Sequence, residues 1–544
     1  MTHAKLSKEQ INDRLSSRFE ADHINALRDL PPASMFKDMA KATARIVKAI
    51  ANSETIILVS DYDVDGVVSR VLLEEFFTLI GFAHLECITP NRFRDGYGLS
   101  KKLIENKQAS VIITVDNGIT SYEAGEYCEE QGIDLIITDH HIAAELPKSY
   151  AIVNPKQPNC PFPFKDICGA QVAWYLIAGL KEELDVSFDM MSNIDLLCLA
   201  IIADVMPLVS MNRVLVKKAL QKIKTSNRPA MVAIREKLQK TNITSQDIAF
   251  FVAPCINAAG RLKDASFAID FLHSADEIEA ADRLDVLVSI NDERKEKELE
   301  IIKKCELLLD DKADVLLVAS EEFNEGVIGI AASKIASEQK KVCFVGSIQE
   351  HTQMVKCSAR SYGDVDLYGL IDKNKSLVHS FGGHRQAAGL NIEKKNWEEF
   401  KQKINEVFKS EFAYEEANNV FCSLDKECVD FSFVEMLDTY EPYGHGNEMP
   451  VFLIENIEVA YAQVIGANKN VLKIVTPTSN GMLQGVKFRH NDDGKVFDEG
   501  EEIDIIATVN KNIFRGNESV QFIIQEIRQK TNENQTKLRS NYDI

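Results

Sequence analysis

Three apolar runs in this 544-residue chain end in acids or imidazoles. Thr55-Ile56-Ile57-Leu58-Val59 leads into Ser60-Asp61-Tyr62-Asp63-Val64-Asp65-Gly66. Val111-Ile112-Ile113-Thr114-Val115 leads into Asp116-Asn117-Gly118, and Asp134-Leu135-Ile136-Ile137-Thr138 into Asp139-His140-His141. Runs of this kind read as buried strands of a parallel α/β sheet, whose C-terminal edge is where ligands bind. Carboxylates gathered there repel one another and resist desolvation unless a cation neutralises them. Oxygen and imidazole donors without a thiolate suit Mn²⁺ or Mg²⁺. A single Asp after a strand is ordinarily a cap or turn residue. Three such strand ends, one with adjacent histidines, favour a metal centre.

A two-ion phosphoester site needs a carboxylate bridging ions about 3.5–4 Å apart, with further ligands on each. Asp116, alone on the strand between the other two motifs, is the natural bridge. Asp63 and Asp65 could face different ions, and His140 and Asp204 would complete the coordination. Arginines suit phosphate through paired hydrogen bonds; Arg92, Arg261 and Arg360 are candidates. Gly382-Gly383-His384 would let backbone N–H groups approach a phosphate. Taken singly, an Arg or a Gly-Gly turn is more often structural.

The elements that must carry these residues follow from periodicity. Ala40 to Ala51 reads as an amphipathic helix before the first strand. Ser121 to Gln131, closed by Gly132, is a helix between the second and third strands, which makes a βαβ unit and a parallel sheet. Ser192 to Val205 is apolar and too long for a typical strand, so it reads as a buried helix bringing Asp204 to its end. The charged stretch 281–312 reads as a connecting helix, and a second α/β unit has strands near 314–318 and 341–345. Past residue 413, short runs at 451–459, 471–476, 482–488, 503–509 and 519–524 suggest a small β-barrel. The expected division is 1–40 N-terminal segment, 41–280 catalytic domain, 281–312 helix, 313–412 second α/β domain, 413–530 barrel and 531–544 disordered tail.

A length of 544 residues with 45% hydrophobic and 27% charged content fits several globular domains. No apolar run reaches a membrane span; the longest candidate, 196–209, is broken by Asp204 and Pro207. The N-terminus has no signal-peptide core. Eleven cysteines without a C-x-x-C pair read as reduced thiols, so a cytoplasmic protein is expected. A net charge of −21 argues mildly against nucleic-acid binding by the whole surface, but leaves room for a local basic groove.

Together these motifs resemble the DHH phosphoesterase family, named for the triplet standing here as Asp139-His140-His141. The likeness extends through Gly96-Tyr97-Gly98-Leu99, Asn257 to Arg261, Ser358 to Ser361, Gly382 to Gly389 and Glu441-Pro442-Tyr443-Gly444-His445-Gly446-Asn447. It covers about residues 30 to 530 and is closest to the family's 5′→3′ exonucleases of single-stranded DNA. The resemblance implies a DHH domain, a long helix, a DHH-associated domain and an OB-fold. It also implies two Mn²⁺ or Mg²⁺ ions and a role in DNA repair and recombination, alongside a single-strand-binding protein and a helicase. Family ligands carry over to Asp63, Asp65, Asp116, His140 and Asp204. His141 matches a contact to the scissile phosphate, and Asp139 a residue orienting the histidines from behind. Arg92, Ser358 and Arg360 match positions holding the 5′ phosphate; Asn257, Arg261, Gly382, Gly383 and His384 fall in motifs lining the substrate path. The OB-fold would grip single strand further along. No His lies near Asp63 in the first motif, so the first ion's third ligand stays open, with Asp61 one possibility. The N-terminal segment is given no function.

Two other functions fit parts of the sequence. A DHH enzyme for short oligonucleotides or 3′-phosphoadenosine 5′-phosphate is disfavoured by the β-rich region after 413. An inactive scaffold binding DNA or replication proteins is disfavoured because every matched ligand position holds a competent side chain.

Overall fold

A computed structural model describes residues 4–142, 144–310, 312–414, 419–466, 469–488, 496–514 and 517–529. The tail expected to be disordered, 531–544, lies outside the described residues. The chain divides into two compact units: residues 31–206 with 218–417, and residues 1–30 with 207–217 and 418–544.

The larger unit holds two five-stranded sheets. In the first, β1 (Ile56–Ser60), β2 (Leu85–Ile88), β3 (Val111–Val115), β4 (Asp134–Thr138) and β5 (Ala151–Val153) lie in the order β2-β1-β3-β4-β5, all parallel. β1 and β3 are buried along their whole length, as strands covered on both faces must be, and this is why they read as unbroken apolar runs. The helix Val64–Leu79 follows β1, Tyr122–Gln131 follows β3 and ends on Gly132 in the left-handed region, and Ile194–Ala203 is the apolar helix before Asp204.

The expected connecting helix runs Glu277–Leu308, capped by Asp276, whose side chain accepts from Glu279 N–H. Its charge run is only partly a solvated face: Asn291 and Arg294 are buried and bonded to each other at 2.9 Å. The second sheet comprises β6 (Leu316–Ser320), β7 (Cys343–Gln349), β8 (Met354–Arg360), β9 (Ser380–Gly383) and β10 (Ala387–Glu393), in the order β6-β7-β8-β10-β9. β6 and β7 are parallel; the other pairs are antiparallel.

The smaller unit is a mixed seven-stranded sheet. Its strands are β11 (Cys422–Ser423), β12 (Phe452–Glu458), β13 (Tyr461–Ile465), β14 (Val471–Thr478), β15 (Gly481–Phe488), β16 (Glu502–Phe514) and β17 (Asn517–Gln529). β13 and β11 were not anticipated from the sequence; both are short, and no residue of β13 is fully buried. The N-terminal segment belongs to this unit. Ile11 and Leu15, on the helix Lys8–Ser16, are fully buried in its core beside Phe433 and Phe452, and Lys5 pairs with Ser423. The motif Glu441 to Asn447 also finds its place here. Asn447 is buried and donates to the Tyr440 and Pro442 carbonyls at 2.8 Å each, while Leu208 N–H donates to the His445 carbonyl at 2.6 Å.

Candidate metal centre

The C-terminal edge of the parallel sheet gathers the acids. Asp63 caps the helix Val64–Leu79, accepting from Gly66 N–H at 3.1 Å, and Asp65 lies in its first turn. Gly66 is required: a Cβ there would stand 2.5 Å from the Asp61 backbone. Asp65 in turn caps the helix Gly169–Glu183, its two oxygens accepting from Gly169 N–H at 2.6 Å and Ala170 N–H at 2.7 Å. That partner lies 104 residues away and was not visible in the sequence. Gly169 also makes room for Asp116, 2.5 Å from where a Cβ would be.

Asp116 leaves β3 in the left-handed region, φ +61°, a conformation that Asp tolerates better than most residues. Its Oδ1 lies 3.2 Å from His140 Nε2, which is also 3.7 Å from Asp65 Oδ2 and 3.6 Å from Asp204 Oδ2. Ligand atoms of Asp61, Asp63 and Asp116 lie within 4.8 Å of one another; so do those of Asp65, His140 and Asp204, and those of Asp116, His140 and His141. Asp116 is common to two groups, as a bridging carboxylate would be.

The electrostatics demand a cation. Burial, then the charge of Asp63, raises Asp61 well above the usual carboxylate range. Burial, followed by Asp65, Asp63, Asp61 and Asp204, does the same to Asp116, and burial with Asp65 and Asp63 to Asp204. Burial outweighs the neighbouring acids at His140 and holds it down to about 4, so its imidazole is neutral, the form that ligates. Asp116 Oδ1, both ring nitrogens of His140 and Asp204 Oδ2 are enclosed without a hydrogen-bond partner. Orphaned buried polar atoms are costly; Asp116 Oδ1, His140 Nε2 and Asp204 Oδ2, converging in an all-oxygen-and-imidazole cluster, fit a pair of hard divalent cations.

His141 is different. Burial opposes its charge, but the hydrogen bond to Asp139 and the charges of Asp139, Asp204 and Asp65 prevail and raise it to about 9. Its Nδ1 lies 2.7 Å from Asp139 Oδ1. Asp139 is buried, yet His141 and His140 hold its carboxyl below the usual range, and it accepts from the backbone N–H groups of Ile119, His140 and His141. Asp139 was expected to orient both histidines. It bonds the ring of His141 only, and reaches His140 through the backbone. Asn154, which the sequence did not single out, donates to the His141 carbonyl at 2.9 Å.

Beside the acids stands a group of arginines. The Arg92 guanidinium lies 4.5 Å over the Tyr62 ring, whose other neighbour is the half-exposed Tyr97, edge-on at 6.2 Å. Burial, then Arg92, with Arg360 adding to it, lowers Arg261 to about 10 against the pull of Asp63. Burial lowers Arg360, which donates to Ser358 Oγ at 3.0 Å and the Ala359 carbonyl at 2.9 Å. Among the described residues no carboxylate pairs with Arg92, Arg261 or Arg360. The first turn of the helix Ile328–Gln339, absent from the sequence reading, packs on this group: a Cβ on Gly329 would lie 3.0 Å from Ser358 Oγ and 3.1 Å from Arg360 Nη2.

Asn257, Gly382, Gly383 and His384, the other residues expected on the substrate path, occupy two places. Asn257 Oδ1 accepts from Val64 N–H at 3.2 Å, so it supports the turn that carries Asp63. Gly382 and Gly383 are exposed residues at the end of β9, and His384 opens the turn to β10, where its N–H donates to the Ala387 carbonyl at 2.8 Å. Among the described residues no hydrogen bond joins them to the metal cluster.

Three family descriptions match the chain: the DHH family N-terminal domain over 55–201, the DHHA1 domain over 312–410 and the RecJ OB domain over 422–526. The single-stranded-DNA-specific exonuclease RecJ of Bacillus subtilis is 30% identical over 505 residues; the alignment covers 90% of this chain and 63% of that protein. The protein of the same name from Haemophilus influenzae is 28% identical, with 96% of each chain covered. Among solved structures, Thermus thermophilus RecJ in complex with Mn²⁺ shares the fold with a TM-score of 0.77 at 24% identity, covering 91% of this chain and 72% of that one. An exonuclease RecJ bound to manganese has a TM-score of 0.60 at 28% identity, covering 70% of this chain and 96% of that one. With three domains matched in order and similarity along nearly its whole length, the chain belongs to the DHH family, in the RecJ branch.

Proposed function

We propose that this protein is a metal-dependent exonuclease that shortens single-stranded DNA from its 5′ end and releases 5′-mononucleotides. The observation that carries the reading is the juxtaposition of enclosed, unpartnered ligand atoms on Asp116, His140 and Asp204 with arginines that have no carboxylate of their own. Asp61, Asp63, Asp65, Asp116, His140 and Asp204 would hold two Mn²⁺ or Mg²⁺ ions. When bound, such ions supply Lewis-acid polarisation of a phosphoryl group and a water acidic enough to attack near neutral pH.

The chain's own residues do the rest. His141, kept cationic by Asp139, donates to a phosphoryl oxygen of the scissile group. Arg92, Arg360 and Ser358 hold the terminal phosphate, and Arg261 lines the path between. Water adds to phosphorus, the bond to the 3′ oxygen breaks, and that oxygen takes up a proton. The released nucleotide keeps its 5′ phosphate, and the shortened strand begins with a new one. Each turnover thus regenerates the group that the arginines hold, which suits stepwise digestion. The OB domain would bind the strand further along by stacking and groove charge.

A role in DNA repair and recombination in the cytoplasm follows from this activity, as does work beside a single-strand-binding protein and a helicase. No helix among the described residues is long and apolar enough to cross a membrane. The test is MnCl₂-dependent digestion of a 3′-labelled, 5′-phosphorylated single strand beside a blunt duplex and a dinucleotide. Stepwise shortening of the single strand alone is expected. Cleavage of the dinucleotide alone would move the protein to a small-substrate role, and tight single-strand binding without cleavage would make it a scaffold.

A further inference from the structure

Asn117 follows Asp116 at the end of β3 and is buried. Its amide nitrogen donates to the Val59 carbonyl of β1 at 3.0 Å and to the Val115 carbonyl of β3 at 2.8 Å. Its amide oxygen accepts from Leu99 N–H at 3.1 Å. Gly98, at φ +63°, lies flat on it: a Cβ there would meet Asn117 Cβ at 3.3 Å. One side chain therefore joins the strand leading into Asp61, Asp63 and Asp65, the strand ending in Asp116, and the loop 89–99.

That loop carries Arg92 and Tyr97. Its near end is tied to β1 through Thr89 Oγ1 and Ser60 Oγ at 2.6 Å, and to Arg70, which donates to Thr89 Oγ1 at 2.9 Å. Two residues on, Asn91 adds to the near end by donating to the Lys263 carbonyl and to Asp264, just past Arg261. Ser121 adds a bond at the far end to the Leu99 carbonyl at 2.8 Å. A loop tethered at both ends has fewer rotations to lose when it meets an anion. The near tether reaches β1 alone, whereas the far tether reaches both ligand strands, β1 and β3, through one side chain. A carboxylate of the same shape could not replace it, because two of the three bonds need N–H donors facing carbonyls.

We propose that Asn117 is a positioning residue that fixes the spacing between the Arg92 loop and the metal-ligating carboxylates, and thereby sets which phosphodiester is cut. This rests on the exonuclease reading above: if the terminal phosphate is held by the loop and the cut is made at the carboxylates, the distance between them fixes the product at one nucleotide. A loop freed at its far end would let a strand sit one nucleotide further in.

The test is a double-mutant cycle of Asn117→Ala with Arg92→Ala, with product lengths resolved on a 5′-phosphorylated oligothymidylate and Mn²⁺ affinity followed by calorimetry. The expected result is that Asn117→Ala raises KM about ten-fold, releases dinucleotides beside mononucleotides, and reduces the cost of Arg92→Ala to about three-fold or less. A purely structural loss would lower the rate and leave product length and the cost of Arg92→Ala unchanged; that outcome overturns the proposal. Should Asn117→Ala not fold, Gly98→Ala perturbs the same joint from the loop side and is held to the same criteria. If the unsubstituted protein cuts no single strand, the exonuclease reading falls; if it cuts and the variants give mononucleotides only, this inference falls alone.

Discussion

Replacing Asp116 with Asn should make the metal-free protein more stable while destroying its response to metal. Asp116 is buried beside Asp65, Asp63, Asp61 and Asp204, and burial together with those charges raises its pKa well above the usual value. Between the unfolded carboxylate value of about 3.9 and the raised folded value, the folded state binds more protons than the unfolded one. Stability of the metal-free protein therefore falls as pH rises through that window, by up to about 1.4 kcal/mol per pH unit for this one group. Asn keeps the shape, carries no charge, and can donate to the neutral His140 ring 3.2 Å away. The pH slope should flatten and the midpoint of the larger unit should rise.

Metal reverses the order. A ligand at 100 times its Kd stabilises by about 2.7 kcal/mol, which for a unit of this size is a shift of roughly 3–4 °C. The assay is thermal unfolding of both proteins from pH 5.5 to 8.5, in EDTA and in MnCl₂. The expected pattern is a higher midpoint for Asp116→Asn in EDTA, most visible at high pH, and little or no Mn²⁺ shift, with cleavage lost. A variant less stable than the parent in EDTA, or one with an unchanged Mn²⁺ shift, would refute the account of Asp116 as a repelled carboxylate waiting for a cation.

Asp139→Asn removes the partner that raises His141 to about 9, so the high-pH limb of the rate profile should move down towards the ordinary 6.5. The stability given by that pair, present below 6.5 and lost as pH rises through about 9, should vanish with it. Arg360→Ala should lower the salt dependence of single-strand binding by about 0.7 in the log–log slope, one phosphate contact, read by anisotropy titrations at several KCl concentrations. Leu15→Ala, in a fully buried position of the smaller unit's core, should cost about 2–5 kcal/mol there. It should lower one unfolding transition in calorimetry while the Mn²⁺-dependent shift persists; loss of that shift would contradict the division into two units.

The residues that reached the site and those that escaped notice differ in how far their causes lie along the chain. Parallel strands covered on both faces are unbroken apolar runs, so their ends stand out, and Asp63, Asp65, Asp116 and His140 stand at or just beyond them. Asp204 was legible for a related reason: an acid ending an apolar helix needs a counter-charge. The supports were not legible, because each is an ordinary residue whose partner is distant. Gly169 and Ala170 matter because Asp65 caps their helix and Asp116 packs on Gly169, and Ile11 and Leu15 because the strands that bury them lie some four hundred residues on. Asn257 shows the converse. Its motif suggested substrate, and its amide oxygen also accepts from Val64 N–H in the turn after Asp63, a structural task its motif did not show. Chemistry-bearing side chains declare themselves by type and position, whereas the groups that aim them are defined by contacts the linear sequence does not contain. A residue such as Asn117, adjacent to a ligand yet bonded to two strands and a loop, is where the two kinds meet.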